Sequence, residues 1–243
     1  MENACWFKEW FDSPYYHLLY NKRDENEANF FINNLNDYLS LPLSSKIWDI
    51  ACGKGRHAMA LAKKGYTVIG TDLSENSIEE ALKNKTSNVE FFIHDMRKLF
   101  RTNYFDCALN LFTSIGYFEN NADNFRVFKN VHAALKPKGV FVVDFLNGEK
   151  IKKSKMVDHQ EQRGDITFYI SKQIVNNVVH KRINFENKGK NYCFTETVTL
   201  LEKEDFEKFA HNAGLILTNT FGDYALNPFD KNNSDRLILI FKK

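Results

Sequence analysis

The sequence predicts a doubly wound, mostly parallel seven-stranded α/β sheet that carries a small antiparallel β insertion. Three observations predict it. Between residues 46 and 145 short β-branched and aromatic runs alternate with helical stretches, the rhythm of βαβ units and a parallel sheet. The first run leads directly into a glycine-containing turn, Ala51-Cys52-Gly53-Lys54-Gly55. After residue 150 the rhythm changes to long β runs separated only by Asn- or Gly-containing joints, which favour hairpins.

The elements follow in order. Residues 1–23 are rich in aromatics, among them Trp6, Phe7, Trp10, Phe11, Tyr15, Tyr16 and Tyr20. From Asp24 a helix is expected, with Phe31, Leu35 and Leu39 four residues apart on one face, closed by Leu41-Pro42. Lys46–Ile50 reads as a short buried strand. A helix from Arg56 to Lys64 stops at Gly65, a residue suited to the left-handed position after a helix. Tyr66–Thr71 is the second strand, ending at Asp72, and Ser74 is placed to cap a helix to Asn84. Val89–Ile93 and Phe105–Leu111 are the third and fourth strands. A helix over 121–135 ends at Lys136-Pro137-Lys138-Gly139, and Val140–Phe145 is the fifth strand. The insertion is expected as three strands, Ile166–Val175, Val178–Glu186 and Tyr192–Leu200. A helix from Lys203 and the strands Leu215–Phe221 and Arg236–Phe241 then return to the main sheet. The expected organisation is an N-terminal helical lid (1–40), an α/β core (41–150), the β insertion (151–200) and a completing segment (201–243).

Composition excludes several classes. The 243 residues carry a formal net charge of +2 and a pI near 8.2, below the value of roughly 9 expected of a basic nucleic-acid-binding domain. The densest cationic stretch, Lys152-Lys153 with Lys155, reads as a solvated turn. The four cysteines, Cys5, Cys52, Cys107 and Cys193, form no C-x-x-C pair, so neither a disulfide framework nor a metal site is expected. The start, MENACWFKEWFDSPYY, has no signal-peptide pattern, and no apolar run reaches the roughly 18 residues of a membrane helix. The expectation is a cytoplasmic protein without nucleic-acid or membrane partners.

The chemistry concentrates at strand ends. Small residues at 51, 53 and 55 let the backbone approach a ligand closely, and the following helix start offers unpaired N–H groups. Asp72, 17 positions after Gly55, can accept hydrogen bonds from both hydroxyls of a ribose. Gly53-Lys54-Gly55-Arg56-His57-Ala58 also fits the G-x-G-x-x-A dinucleotide pattern, which leaves an NAD(P)-binding oxidoreductase as an alternative. Against it, Asp49 lies inside the first strand, where a carboxylate repels a pyrophosphate and suits an ammonium group.

Asp49 through Gly55, Gly70-Thr71-Asp72-Leu73-Ser74, His94-Asp95-Met96 and Leu135-Lys136-Pro137-Lys138-Gly139 together resemble the motifs of class I methyltransferases that use S-adenosyl-L-methionine. Ala51 departs from the family's commonest first glycine, and Lys138 stands where a glycine is often found. The resemblance spans about residues 40–150 and 200–243 and implies a methyl transferase whose product is S-adenosyl-L-homocysteine. It implies that Asp49, Ala51, Cys52, Gly53, Gly55 and Arg56 surround the methionine end. Asp72 would take the ribose, Leu73, Asp95 and Met96 the adenine, and Asn110, Leu111 and Phe112 the sulfonium side. Tyr16 and Tyr20 fall on one helical face and are similar to the N-terminal lid of small-molecule members, where a tyrosine covers the cofactor. The insertion resembles the β region that roofs the acceptor pocket in glycine-N-methyltransferase-like enzymes, and its edges are the expected place for a homodimer contact.

The acceptor side is less legible. Tyr16, His17 and Asp144 are the candidate catalytic residues, Tyr20, Arg23 and His94 are further candidates for a general base, and Asn147 closes the fifth strand in either a substrate-binding or a plain turn role. The expected acceptor is a small molecule methylated at N or O. Methyl transfer to RNA or protein, and a non-catalytic cofactor-binding protein, remain as alternatives.

Overall fold

The computed structural model describes residues 6–20, 25–118 and 120–243. Arg23 and Cys5 therefore lie outside the described residues. Helices α1 (Trp6–Phe11), α2 (Pro14–Leu19) and α3 (Glu25–Leu39) precede β1 (Lys46–Ile50). The core continues as α4 (Arg56–Lys63), β2 (Thr67–Asp72), α5 (Glu75–Lys83), β3 (Val89–Ile93), β4 (Phe105–Asn110), α6 (Asn121–Ala134) and β5 (Leu135–Leu146). Next come α7 (Gly148–Lys153), β6 (His159–Arg163), β7 (Ile166–Val175), β8 (Val178–Asn187) and β9 (Lys190–Thr199). Helix α8 (Lys203–Ala213) and the strands β10 (Ile216–Phe221) and β11 (Arg236–Lys242) complete the chain.

The main sheet has seven strands in the order β10-β11-β5-β4-β1-β2-β3. Strand β11 runs antiparallel to both β5 and β10, and the β1, β2, β3, β4 and β5 pairings are parallel. Alternate residues of the central strands feed two cores. Trp48, Ile50, Phe141 and Phe145 pack with Phe128 of α6 and Phe206 of α8. Ile47, Val68, Leu109 and Val142 pack with Phe31 of α3, Leu61 of α4 and Ile78 of α5. Period-two alternation with apolar residues on both faces is what a sheet covered on both sides requires. The order reverses between β1 and β4, which opens a crevice at the carboxyl ends of those strands.

Local signals fixed several boundaries as expected. Ser74 caps α5, its Oγ accepting from the Ser77 N–H, and Gly214 closes α8 in the left-handed conformation. The helix stops at Ala134, one residue before the expected end, but β5 begins at Leu135 rather than Val140, and the extra residues are absorbed as a register shift between Phe105 and Cys107. Lys138 takes a φ of 67° to make the turn where a glycine is common.

The insertion is a four-stranded antiparallel sheet, β6-β7-β8-β9, not the three strands expected. Strand β6 (HQEQR) was missed because its polar residues carry no strand signature. It forms because β7 offers it a complete antiparallel ladder. The Asn176-Asn177 joint has both residues at positive φ, 50° and 64°, the geometry of a type I′ hairpin.

Candidate functional site

The crevice and the insertion enclose a cavity of about 810 Å³. Its floor is the carboxyl ends of β1, β2 and β4, and its roof is one face of the β6–β9 sheet together with α1 and α2.

On the floor, the turn after β1 is strained into shape. Ala51, Gly53 and Gly55 have φ values of 56°, 54° and 80°. A side chain at Gly53 would meet nothing within 4 Å, whereas one at Gly55 would strike the Phe91 ring at 2.5 Å. Gly55 is thus held by packing, and Gly53 leaves the backbone open to the cavity. The Asp72 carboxylate braces the turn: Oδ2 accepts from the Gly53 N–H at 2.8 Å and Oδ1 from the Ser74 N–H at 2.9 Å. Burial pushes its carboxyl up from the ordinary value. Each oxygen keeps a lone pair for a further donor.

Asp49 lies beneath the turn, 1% exposed. The Ala58 N–H hydrogen-bonds to it, yet its Oδ2 has no partner. Burial pushes its carboxyl up to about 7, with the nearby Asp72 charge adding to the effect. A buried unpaired carboxylate oxygen is costly unless a donor reaches it, so this residue suits a cationic donor arriving from the ligand. His57, which also lines the cavity, is held neutral, its pKa lowered to about 3 by burial.

The loop after β4 is built by a network the sequence did not announce. Phe112 and Thr113 both adopt left-handed backbone, φ 64° and 57°, at a cost of about 1–3 kcal/mol each. Asp144 of β5 compensates. Its Oδ2 accepts from the Phe112 N–H at 2.8 Å and from the Tyr224 hydroxyl at 3.1 Å. Its Oδ1 pairs with Arg236 Nε at 2.7 Å. Arg236 Nη2 donates to Thr113 Oγ1 at 3.0 Å, and its guanidinium lies 5.5 Å from the Phe112 ring centroid, with Arg56 at 5.2 Å.

The roof has a different character. On its inner face Ile166, Phe168 and Ile170 of β7 and Ile183 and Phe185 of β8 pack with Trp10 and Leu19. Along the same alternation the face then turns polar: Lys172, Lys181 and Glu196 stand in register across β7, β8 and β9 and line the cavity. Glu196 Oε1 accepts from Trp10 Nε1 and from the Tyr20 hydroxyl, each at 2.6 Å. Lys181 donates to the Tyr20 hydroxyl and lies 3.6 Å from Glu196 Oε2. The segment joining α1 and α2 is tied to the floor through Asp12, whose Oδ1 accepts from Ser74 Oγ at 2.6 Å and from the Asn76 N–H at 3.0 Å.

Of the residues singled out from sequence, the cavity is lined by Tyr16, His17, Tyr20, Ala51, Cys52, Gly53, Arg56, Asp72, Leu73, Asp95, Met96, Leu111 and Phe112. Asp49, Gly55, Asn110 and Asp144 stand behind that lining. Asn110 is fully buried, its Nδ2 donating to the Ile50 carbonyl at 3.2 Å. Asp95 is held by Arg97 through both oxygens, at 2.7–3.1 Å. His17 lies 3.5 Å from Ser77 Oγ, and burial lowers its pKa to about 4. His94 also lines the cavity; its ring is tilted 50° to that of Phe100 at 4.8 Å, and it hydrogen-bonds the Lys98 carbonyl. Asn147 is spent on the Lys231 and Ser234 carbonyls. The sequence reading missed Lys172, Lys181, Glu196 and Arg236. Lys155 is exposed, as the solvated reading expects, and it also lines the cavity. Among the described residues no cluster of His, Cys, Asp or Glu could hold a metal ion, and no helix is long and apolar enough to cross a membrane.

A doubly wound sheet with one reversed strand, a glycine turn over a strand-borne aspartate and a second aspartate at the end of β2 define a class I methyltransferase. Residues 47–139 match the methyltransferase domain family. The chain is 30% identical over 197 residues to the "Putative methyltransferase YqeM" of Bacillus subtilis (strain 168), covering 76% of this chain and 79% of that one. It superposes with TM-score 0.78 on an S-adenosylmethionine-dependent methyltransferase from Clostridium acetobutylicum, at 22% identity and covering 94% and 95% of the two chains. It superposes with TM-score 0.75 on the sugar N-methyltransferase KedS8 from Streptoalloteichus, at 18% identity and covering 94% and 92%. The chain belongs to the class I S-adenosylmethionine-dependent methyltransferases, and the oxidoreductase alternative falls with that membership.

Proposed function

We propose that this enzyme transfers the methyl group of S-adenosylmethionine to a nitrogen or oxygen of a small molecule held between the cavity floor and its β roof. The enclosed volume is the observation that carries the reading. At about 810 Å³ it lies near the top of the roughly 300–1,000 Å³ range of ligand pockets, room for a cofactor and a compact acceptor together. The fold's likeness to a sugar N-methyltransferase supports an acceptor of that size.

The floor residues divide the cofactor between them. The unpaired Asp49 Oδ2 answers an ammonium, and the turn 51–55 with Arg56 accommodates the rest of the methionine end. Asp72 receives the ribose hydroxyls, and Leu73, Asp95 and Met96 border the base. Leu111 and Phe112 flank the reacting centre, with Asn110 behind them. Tyr16 and Tyr20 cover it from the lid. Bound there, the cofactor supplies an electrophilic methyl on a positively charged sulfur. The acceptor's lone pair forms the new bond to carbon as the carbon–sulfur bond breaks, its electron pair returning to sulfur. Any proton then leaves the methylated acceptor.

In-line displacement rewards positioning and exclusion of water, and the chain provides both. The Asp144–Arg236 pair fixes Phe112, and the lid aromatics close the top. His17 is too weakly basic at about 4 to serve well near neutral pH. Glu196, joined to Tyr20, is the carboxylate on the acceptor side.

The test is to incubate the protein with methyl-labelled S-adenosylmethionine and a fractionated cell extract. Label recovered in the low-molecular-mass fraction supports the reading. Label confined to precipitable RNA or protein overturns it.

A further inference from the structure

The roof carries an arrangement that its own folding does not need. Lys172 and Lys181 occupy directly opposed positions of β7 and β8, and both line the cavity. Like charges directly opposite across an antiparallel pair are destabilising. The rest of this inward face is apolar, from Ile166 to Ile170 and from Ile183 to Phe185. Glu196, opposite Lys181, offsets one of the two cations. Lys172 forms no ion pair among the described residues, and neither does Lys155 on the adjoining segment, which lines the same cavity. Lys172 and Lys155 are themselves exposed at the cavity's edge, and the cation on the cofactor's sulfur would add positive charge to the same cavity. A site with that surplus is completed by an anion.

We infer that the Lys172–Lys181 pair, with Lys155, seats an anionic group, a carboxylate or a phosphate, of the methyl acceptor. This rests on the reading of the floor as the cofactor site. The anion would anchor the acceptor at the roof, and its nucleophilic atom would then face Leu111 and Phe112. Charge also explains the selectivity such a roof gives: a neutral analogue of the acceptor would leave Lys172 without a counter-charge, since Glu196 is engaged with Lys181.

The test uses the protein saturated with S-adenosylhomocysteine. Inorganic phosphate is followed by its phosphorus line width, and acetate by saturation transfer from the protein. Wild-type protein is expected to bind one of them, more weakly as salt rises. Binding of phosphate alone identifies a phosphoryl acceptor, and binding of acetate alone a carboxylate. Lys172→Gln is expected to weaken that binding by about threefold to fivefold, and Lys172→Glu to abolish it. Affinity for S-adenosylhomocysteine should stay within about twofold in both variants, since the floor is untouched. Absence of anion binding by the wild type, or equal binding by Lys172→Gln, overturns the inference. Failure of S-adenosylhomocysteine to bind would sink the floor reading instead, and the same anion titrations of the ligand-free protein would still decide this one.

Discussion

The floor and roof of the cavity solve one problem, presenting polar groups to a ligand from a packed sheet, in opposite ways. The floor uses strand ends. The parallel strands bury mostly apolar residues and offer chemistry near their carboxyl ends, at Asp49 and the turn after Ile50, at Asp72, at Phe112 and at Asp144. The backbone there pays in strain, with positive φ at Ala51, Phe112 and Thr113. The roof uses a strand face. Its polar row, Lys172, Lys181 and Glu196, sits in the middle of ordinary antiparallel ladders with no unusual backbone. Groups at strand ends are held by other strands' side chains, as Asp144 holds Phe112. Groups on a strand face are placed by register, as Lys172 is, although Glu196 is also tied to Trp10 and Tyr20. Floor substitutions should therefore damage folding and cofactor binding together, and substitution of Lys172 should spare both.

The largest effect that would test this contrast is Asp144→Ala. It leaves Arg236 without its ion pair and Phe112 without its N–H acceptor. Breaking a buried pair costs about 3–5 kcal/mol, a melting decrease of roughly 6–20 °C for a chain of this size. Calorimetry showing an unchanged melting temperature would mean that the strained loop stands without β5. Next comes Asp72→Asn, which removes a charged acceptor worth about 1.5–3 kcal/mol. Titration should show S-adenosylmethionine affinity lowered about tenfold to a hundredfold, and an unchanged affinity would remove Asp72 from the site.

A smaller effect follows from Asp49. Its carboxyl, raised to about 7, holds a proton below that pH in the folded protein, whereas in the unfolded chain it ionises near 4. Folding stability from this group is thus full below about 4 and is lost as pH rises through about 7. Cofactor binding runs the other way. An ammonium favours the ionised carboxylate, so affinity should climb up to about tenfold per pH unit toward 7 and then level off. Titrations in buffers of different ionisation enthalpy should show a proton released at pH 6, and Asp49→Asn should flatten the profile. The smallest effect belongs to the lid. Asp12→Ala removes partly exposed hydrogen bonds to Ser74 and Asn76. It should raise the KM for S-adenosylmethionine by about twofold to fivefold with little change in melting temperature. A large thermal effect would show that the lid belongs to the fold and is more than a cover.

Much of the floor was legible because its signals are local. A strand, a small-residue turn and a helix start lie within about ten consecutive residues, and Asp72 follows at the end of the next strand. The Ser74 cap and the Gly214 stop were likewise contained in a few adjacent positions. The roof was legible only as β structure. Its inward row needs three strands in register, and register is set by the hairpin turns at 176–177 and 188–189 acting together. A lysine at an inward position of an apolar alternation was the available signal. It becomes visible once Ile166, Phe168 and Ile170 are known to face in. Polar β6 left no such trace.

The sequence by itself determined the doubly wound sheet, the small-residue turn after β1 and the residues at the strand ends, because periodicity, glycine placement and capping act over a few neighbouring residues. Tertiary structure alone decided that Asp144 holds both the Phe112 N–H and Arg236, the latter 92 positions away, that Trp10 and Tyr20 meet Glu196, and that Lys172 faces Lys181 over the cavity. Those contacts join segments with no shared local pattern, and only the packing of the whole chain brings them within hydrogen-bonding distance.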